Sequence, residues 1–193
     1  MSRPQTLGLT QTTAPTIEPV TTAELKSWLG YGGTDQDSVF DSLIVAAREW
    51  AETFLRRQLI TATWTLNIDR FPFGDIDLLR LPVQSVSSIS YVDTEGISQT
   101  LSTSKYDVST DSGRVAPAYN ESWPSTRNEL EPITITYVAG YGDDGHDVPE
   151  SIRQSIMMIA VGWWHAMQCG GSSMDVVNPA ARAMLSPYRV LST

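Results

Sequence analysis

The sequence predicts an α+β protein in which a small α-helical bundle, made of two long helices plus short ones, carries a β-rich insertion. Apolar residues recur every three or four positions near both ends of the chain, whereas the middle alternates apolar and polar residues; these periods are typical of helices and strands respectively. With 193 residues, 41% of them hydrophobic, the chain is long enough to bury a sizeable core. The predicted divisions are a flexible N-terminal arm (1–20), a helical core (21–58 and 147–186), the insertion (59–146) and a C-terminal tail (187–193).

The N-terminal arm is predicted from composition, because its 20 residues include three prolines and only two charged side chains. Regular structure is expected to begin at Thr21, since a threonine followed three residues later by Glu24 can form a capping box. A short helix should then run to Leu29 and end at Gly30.

Two long helices are predicted by continuous apolar stripes, and a third, short helix by its start signal. The first stripe should follow an N-cap at Thr34 or Asp35, and the second should follow Asp147 as a cap. The stripes comprise Phe40, Leu43, Ala47, Trp50 and Phe54, and then Ile152, Ile156, Ile159, Trp163 and Ala166. The short helix is expected to start at Asn178 and Pro179 and to end before Pro187.

The insertion is predicted to be rich in strands because the period changes to two. From Ile60 to Ile68 every even position is apolar and every odd one polar, which indicates a strand with one buried face. Residues 93–96 supply a turn for a hairpin. Further strands are predicted at 76–81, 86–92, 97–101, 106–108 and 133–137.

Charge and composition exclude several classes of protein. The formal net charge is −9, which disfavours a surface that grips nucleic-acid phosphates. The longest apolar run, 156–164, is nine residues long and too short to cross a bilayer. The single cysteine, Cys169, excludes an internal disulfide and a cysteine-based zinc cluster. No secretory signal is visible, so residence in a cytosol is expected.

No catalytic motif is found, and no catalytic residue, metal site or cofactor is predicted. A loop with Asp143, Asp144, His146 and Asp147 offers oxygen and imidazole ligands, but it lacks the register of a calcium-binding loop. We interpret it as a solvated loop and keep a metal-dependent hydrolase as a competing hypothesis.

Aromatic residues suggest an alternative function, a carbohydrate- or surface-binding β-rich module. Three tryptophans on apolar helical stripes are expected in the core; they are Trp28, Trp50 and Trp163. Four aromatic residues are harder to assign to a core and would form the binding platform; they are Tyr119, Trp123, Tyr137 and Tyr141.

A series of short segments, in order along nearly the whole chain, resembles the head-to-tail connector, or adaptor, proteins of long-tailed bacteriophages, related prophages and gene transfer agents. These segments are 21–29, 46–52, 56–61, 81–86, 91–93, 117–119 with 123–124, 133–142, 148–149 with 152–154, and 185–190. The resemblance implies a non-enzymatic virion protein that forms a ring of twelve under the portal protein at the capsid vertex. It also implies contacts with the next neck or tail component, assembly in the host cytoplasm and passage of DNA through the ring without sequence-specific binding.

The resemblance further implies that the C-terminal tail docks onto the portal. Tyr188, Arg189, Val190 and Leu191 are the predicted portal-binding residues. Arg189 suits this role because a guanidinium can pair with a carboxylate through two hydrogen bonds, while Tyr188 and Val190 can bury apolar area.

Overall fold

The computed structural model describes residues 7–168 and 178–190, so Cys169 and Leu191 lie outside the described residues. The chain divides into two compact units. The β unit comprises Met1–Ala14 and Thr61–Gly140, and the helical unit comprises Pro15–Ile60 and Tyr141–Thr193. Helices and antiparallel sheets confirm the predicted α+β class.

The β unit contains two antiparallel sheets. Five strands pair in the order β1-β2-β8-β4-β5, and three in the order β3-β7-β6. The strands are β1 (Leu7–Thr13), β2 (Ala62–Ile68), β3 (Ile76–Asp77), β4 (Val83–Val92), β5 (Ser98–Thr100), β6 (Tyr106–Ser109), β7 (Arg114–Pro117) and β8 (Ile133–Ala139). The predicted hairpin is confirmed, because β4 pairs with β5 across residues 93–97.

The core of the β unit follows from the alternation in β2 and β8, whose residues alternate between buried and half-buried. Leu66 lies opposite Ile135 and Trp64 opposite Tyr137, and all four side chains are buried. The Tyr137 hydroxyl donates a 2.6 Å hydrogen bond to the Leu79 carbonyl, which satisfies its polar end within an apolar setting. One apolar face therefore holds the sheet together.

The helical unit consists of α1 (Thr22–Leu29), α2 (Asp37–Leu55), α3 (Glu150–Gln168) and α4 (Pro179–Leu185). The predicted capping box of α1 is confirmed: Thr21 and Glu24 bond each other's backbone amides, and Gly30 ends the helix with a φ of 68°. Asn178 caps α4 as predicted. The predicted stripes pack together in one core, which includes Phe40, Ala47, Ile152, Ile156 and Trp163.

Two buried arginines tie the helices to the segment that precedes α1. Arg48 on α2 pairs with Glu18 at 2.7 Å and Glu52 at 2.9 Å. Burial alone would lower the pKa of Arg48, but Glu52 and Glu18 outweigh burial and raise it, so Arg48 stays charged. Arg153 on α3 donates a 2.9 Å hydrogen bond to the Pro19 carbonyl and also pairs with Glu24 and Glu150.

The N-terminal segment was predicted to be a flexible arm, but its described residues, 7–20, include a strand and several fixed contacts. Leu7–Thr13 form the edge strand β1, which pairs with β2 in the β unit. Glu18, Pro19 and Val20 are held in the helical unit by the arginine contacts and by burial of Val20. Proline and threonine content indicated an arm because pairing with a strand some 55 residues away leaves no local signal.

Three further local predictions are wrong. The α2 helix starts after Gln36 without a side-chain cap, because Asp35 accepts a hydrogen bond from the Tyr31 hydroxyl instead. Asp147 belongs to a separate 3-10 turn, Gly145–Asp147, rather than capping α3. Trp28 is 51% exposed, because it lines a surface pocket with Ser27 and Met157 instead of lying in the core.

Candidate functional site

The candidate site lies where α2 ends and the C-terminal tail returns to it. Arg56 follows α2 with a φ of 56°, in the left-handed region, and its backbone N–H bonds the Glu52 carbonyl. The Arg57 N–H bonds the same carbonyl at 3.2 Å. This left-handed position ends the helix, a role that glycine usually takes.

The C-terminal tail is held at this helix end by two hydrogen bonds, one between backbone groups and one from a side chain. The Val190 N–H donates a 3.0 Å hydrogen bond to the Leu55 carbonyl. The Arg57 Nε donates a 2.6 Å hydrogen bond to the Tyr188 carbonyl. Tyr188 itself is half-buried against the helical core. The tail through Val190 is therefore held against the rest of the helical unit.

Two arginines cover a stacked pair of aromatic rings beside the tail. Trp50 and Phe54 stack with centroids 5.2 Å apart and an interplanar angle of 9°. The Arg182 guanidinium lies 5.7 Å from the Trp50 centroid and 5.9 Å from that of Phe54. The Arg189 guanidinium lies 5.2 Å from the Phe54 centroid. These distances are typical of cation–π contacts, which hold a guanidinium without neutralising it.

We call Arg56, Arg57, Arg182 and Arg189 the basic surface. No carboxylate of residues 7–168 and 178–190 lies within 4.0 Å of any of these four side chains. The carbonyl end of α2 also favours cations at this place, because the helix dipole is negative there. The result is a positive surface on an acidic protein.

The structure brings three of the four predicted portal-binding residues to this site. Tyr188 and Val190 are half-buried, Arg189 is exposed, and Leu191 lies outside the described residues. Sequence reasoning missed Arg56, Arg57 and Arg182. The adjacent pair Arg56 and Arg57 was a visible charge signal, but its contact with a tail 131 residues away was not.

The acidic loop ahead of α3 is used to stabilise its own turn. The Asp144 carboxylate accepts a 2.8 Å hydrogen bond from the His146 N–H, and the Asp147 carboxylate accepts one of 3.0 Å from the Asp144 N–H. Asp143 is exposed. Within the described residues, no group of three or more potential ligands is placed to hold a metal ion.

The aromatic residues of the alternative hypothesis lie in different environments. Tyr137 is fully buried, Tyr119 is 91% exposed, and Trp123 stacks on Phe71 with centroids 4.8 Å apart. Tyr141 belongs to the helical unit, where burial raises its pKa and the nearby Arg57 partly offsets the rise. The alternative of a carbohydrate-binding module therefore finds no support.

Comparison with known families decides what kind of protein carries this site. The model of the family described as "Head completion protein" matches residues 18–191, which is most of the chain. This chain belongs to the head completion protein family. The predicted resemblance to head-to-tail connector proteins is confirmed by this family match, since the family consists of structural virion proteins. No curated protein matches this head completion protein in sequence.

Solved structures share the fold of this head completion protein over nearly its full length. A chain from the neck of an empty gene transfer agent particle, computed with C6 symmetry, is 18% identical, with a TM-score of 0.79 over 96% of this chain and 97% of that one. A chain from the virion of a native gene transfer agent particle is 21% identical, with a TM-score of 0.78 over 96% of both chains. A third, from the native neck with C12 symmetry, is 19% identical, with a TM-score of 0.75 over 96% and 97%.

In the described part of this head completion protein, no helix has both the length and the apolar character to cross a membrane.

Proposed function

We propose that this head completion protein forms a ring, with twelve copies as the expected number, at the neck of the virion. In this proposal the ring binds the portal on one side and the next neck component on the other. The observation that carries the proposal is the family match over residues 18–191. The full-length fold match to chains from necks with C6 and C12 symmetry supports a ring.

The tail of the helical unit is the proposed portal contact. Tyr188, Arg189 and Val190 are presented at the end of α2 by hydrogen bonds to Leu55 and Arg57, and Leu191 follows them directly in the chain. A segment that is already held in position loses less conformational entropy when it binds than a free chain end does.

The proposed ring surrounds DNA without gripping it and performs no catalysis. A net charge of −9 suits a conduit, because a strongly basic wall would retain a polyanion. The acidic loop that motivated a hydrolase hypothesis is engaged in capping its own turn, which supports a structural role for that loop.

Electron microscopy of the purified chain mixed with the portal protein from the same gene cluster tests this proposal. We expect ring density with matching symmetry on the narrow end of the portal, and no such density on the portal alone. Intact portals that remain bare at micromolar concentrations of the chain would contradict the proposal.

A variant pair tests the role of the tail in the same experiment. Tyr188→Ala combined with Val190→Ala removes apolar side chains but leaves the backbone hydrogen bonds of the tail in place, so we expect ring occupancy on the portal to fall. The control, Tyr119→Ala, removes a fully solvated aromatic side chain from the β unit and should leave that occupancy unchanged. Equal occupancy for both variants would contradict the tail contact.

A further inference from the structure

We propose that the basic surface binds an acidic protein segment, whose carboxylates pair with the four arginines while its apolar residues contact the rings of Trp50 and Phe54. The inference rests on the proposed function for the identity of that neighbour as the portal. Its chemistry is independent of that identity and is argued from the charges and contacts of the helical unit.

The first step is that the basic surface departs from the charge pattern around it. The helical unit contains seven lysine and arginine residues. The three that lie elsewhere are all paired: Lys26 with Asp37 at 2.7 Å, Arg48 with Glu18 and Glu52, and Arg153 with Glu24 and Glu150. Of the other four, Arg57 contacts the tail, and Arg182 and Arg189 lie over the aromatic pair. Arg56 directly precedes Arg57 at the end of α2. The described residues supply no carboxylate within 4.0 Å of these four. Although the chain has 22 acidic and 13 basic residues, these four arginines meet no carboxylate among the described residues, which supports a partner of opposite charge.

The second step is that the guanidinium groups are held ready for a ligand. Arg182 and Arg189 lie over the aromatic pair, and the Arg57 Nε is fixed on the Tyr188 carbonyl. None of these contacts neutralises the charge, and each leaves N–H groups for a carboxylate. Side chains that are already ordered lose less entropy on binding.

The third step concerns Arg56, which holds a left-handed conformation with a φ of 56°. Glycine or asparagine adopts this conformation more readily at a helix end, so an arginine here is costly for folding. Backbone strain of this kind is typical of functional positions. A carboxylate partner would explain why an arginine stands here.

The apolar content of the site favours a protein over DNA. Trp50, Phe54, Tyr188 and Val190 are all half-buried, so they offer partly exposed apolar area between the arginines. Arginine and aromatic side chains together are enriched in the energetically important parts of protein interfaces. A net charge of −9 opposes binding along a continuous phosphate backbone.

Binding measurements on the full chain test the inference with three probes: the portal protein, a synthetic oligoglutamate peptide and a short DNA duplex. The test variant is Arg182→Glu combined with Arg189→Glu. The matched control reverses two arginines of the β unit, Arg114→Glu combined with Arg127→Glu; both side chains are more than half exposed. We expect the test variant to bind the portal about 100-fold more weakly, which corresponds to about tenfold for each charge-assisted contact. The control should bind like the wild type.

The oligoglutamate peptide tests the chemistry without the portal. Wild-type protein should bind it with an affinity that falls as salt rises, and the test variant should not. A neutral variant, Arg182→Gln combined with Arg189→Gln, should lose part of the affinity for the peptide. It serves as a second test in case the charge-reversed protein fails to fold.

The outcomes separate the inference from the proposed function. If wild type and test variant bind the portal equally, the inference is wrong and the proposed function stands. If the wild type binds oligoglutamate but not the portal, the proposed function fails while the acidic-segment inference stands. Binding to the DNA duplex but not to oligoglutamate would overturn the inference in favour of a phosphate site.

Discussion

The two units bury different kinds of side chain. Among the residues of the helical unit that the structure describes, five polar or charged side chains are buried; they are Arg48, Glu52, Gln58, Arg153 and Ser155. Among the described residues of the β unit, no side chain of this kind is buried. There buried aromatic side chains carry the polar atoms, and the Tyr137 hydroxyl is bonded to a carbonyl.

This difference follows from the kind of contact that holds the chain segments of each unit together. The β unit is held together by strand pairing, in which backbone groups form hydrogen bonds with one another and an alternating sequence supplies the apolar face. The helical unit must attach an irregular segment, residues 15–20, whose backbone has no ladder to join. Arg153 bonds the Pro19 carbonyl, and Arg48 bonds the Glu18 carboxylate. Buried arginines therefore attach this segment to the helical unit, whereas backbone pairing attaches the strands of the β unit to one another.

The largest expected effect comes from removing one buried arginine. Arg48→Met leaves the Glu52 carboxylate buried without its cation, although Gln58 and the Leu59 N–H still bond it. We expect the free energy of unfolding to fall by about 3–5 kcal/mol, measured by urea denaturation. The matched change in the β unit, Arg114→Met, breaks an exposed ion pair with Asp75 and should cost at most about 1 kcal/mol. Similar losses for both variants would remove the contrast between the units.

The next effect concerns the buried Tyr137 hydroxyl of the β unit. Tyr137→Phe removes the 2.6 Å hydrogen bond to the Leu79 carbonyl and should lower the free energy of unfolding by about 1–2 kcal/mol. Tyr119→Phe removes a hydroxyl from a side chain that is 91% exposed and serves as the control, with a change within about 0.5 kcal/mol. If Tyr137→Phe were as stable as the wild type, the β unit would not depend on this bond.

A smaller effect, of opposite sign, is expected at the end of α2. Arg56→Gly relieves the left-handed conformation of Arg56 and should raise the free energy of unfolding by up to about 1 kcal/mol. Thr53→Gly, three residues earlier in the exposed face of the same helix, should lower it by about 0.5 kcal/mol. The same Arg56→Gly protein should bind the portal more weakly. A variant that is both less stable and fully able to bind would contradict the functional reading of Arg56.

The helices and strands whose apolar residues repeat at short intervals were predicted correctly from the sequence. The stripe through Phe40, Ala47 and Phe54 identified α2, and the alternation through Trp64 and Leu66 identified β2, because one turn of helix or one strand repeat carries the pattern. The strand β7 (Arg114–Pro117) was missed, since four residues ending in proline give little alternation. The exposure of Trp28 was missed as well, because a stripe on an eight-residue helix does not say what packs against it.

The candidate site was predictable only in part. Tyr188, Arg189 and Val190 were reached through the resemblance to connector proteins. The partners of these residues, Leu55, Phe54 and Arg57, lie more than 130 residues earlier in the chain. Contacts over such separations leave no periodic signal. That no described carboxylate lies within 4.0 Å of the four arginines was equally invisible, because pairing depends on which carboxylates the fold brings near.

The smallest predicted effect is a pH dependence of stability that arises in the helical unit, where Glu24 pairs with Arg153. Burial alone would raise the pKa of Glu24, but hydrogen bonds from Thr21 and Arg153 outweigh burial and hold that pKa below its ordinary value of 4.5. Because the folded protein binds this proton less readily than the unfolded chain, Glu24 adds stability above about pH 4.5, and this stability is lost as the pH falls through the folded pKa. The effect is modest because the Glu24 side chain is 36% exposed and solvent screens it.

Urea denaturation between pH 6 and pH 3 should show a shallower loss of stability for Glu24→Gln than for the wild type. An intermediate loss is expected for Thr21→Ala, which removes one of the two Thr21 donors. Parallel pH profiles for all three proteins would mean that Glu24 is no more stabilised by its partners than a solvated carboxylate, and that Arg153 acts through the Pro19 carbonyl and Glu150 alone.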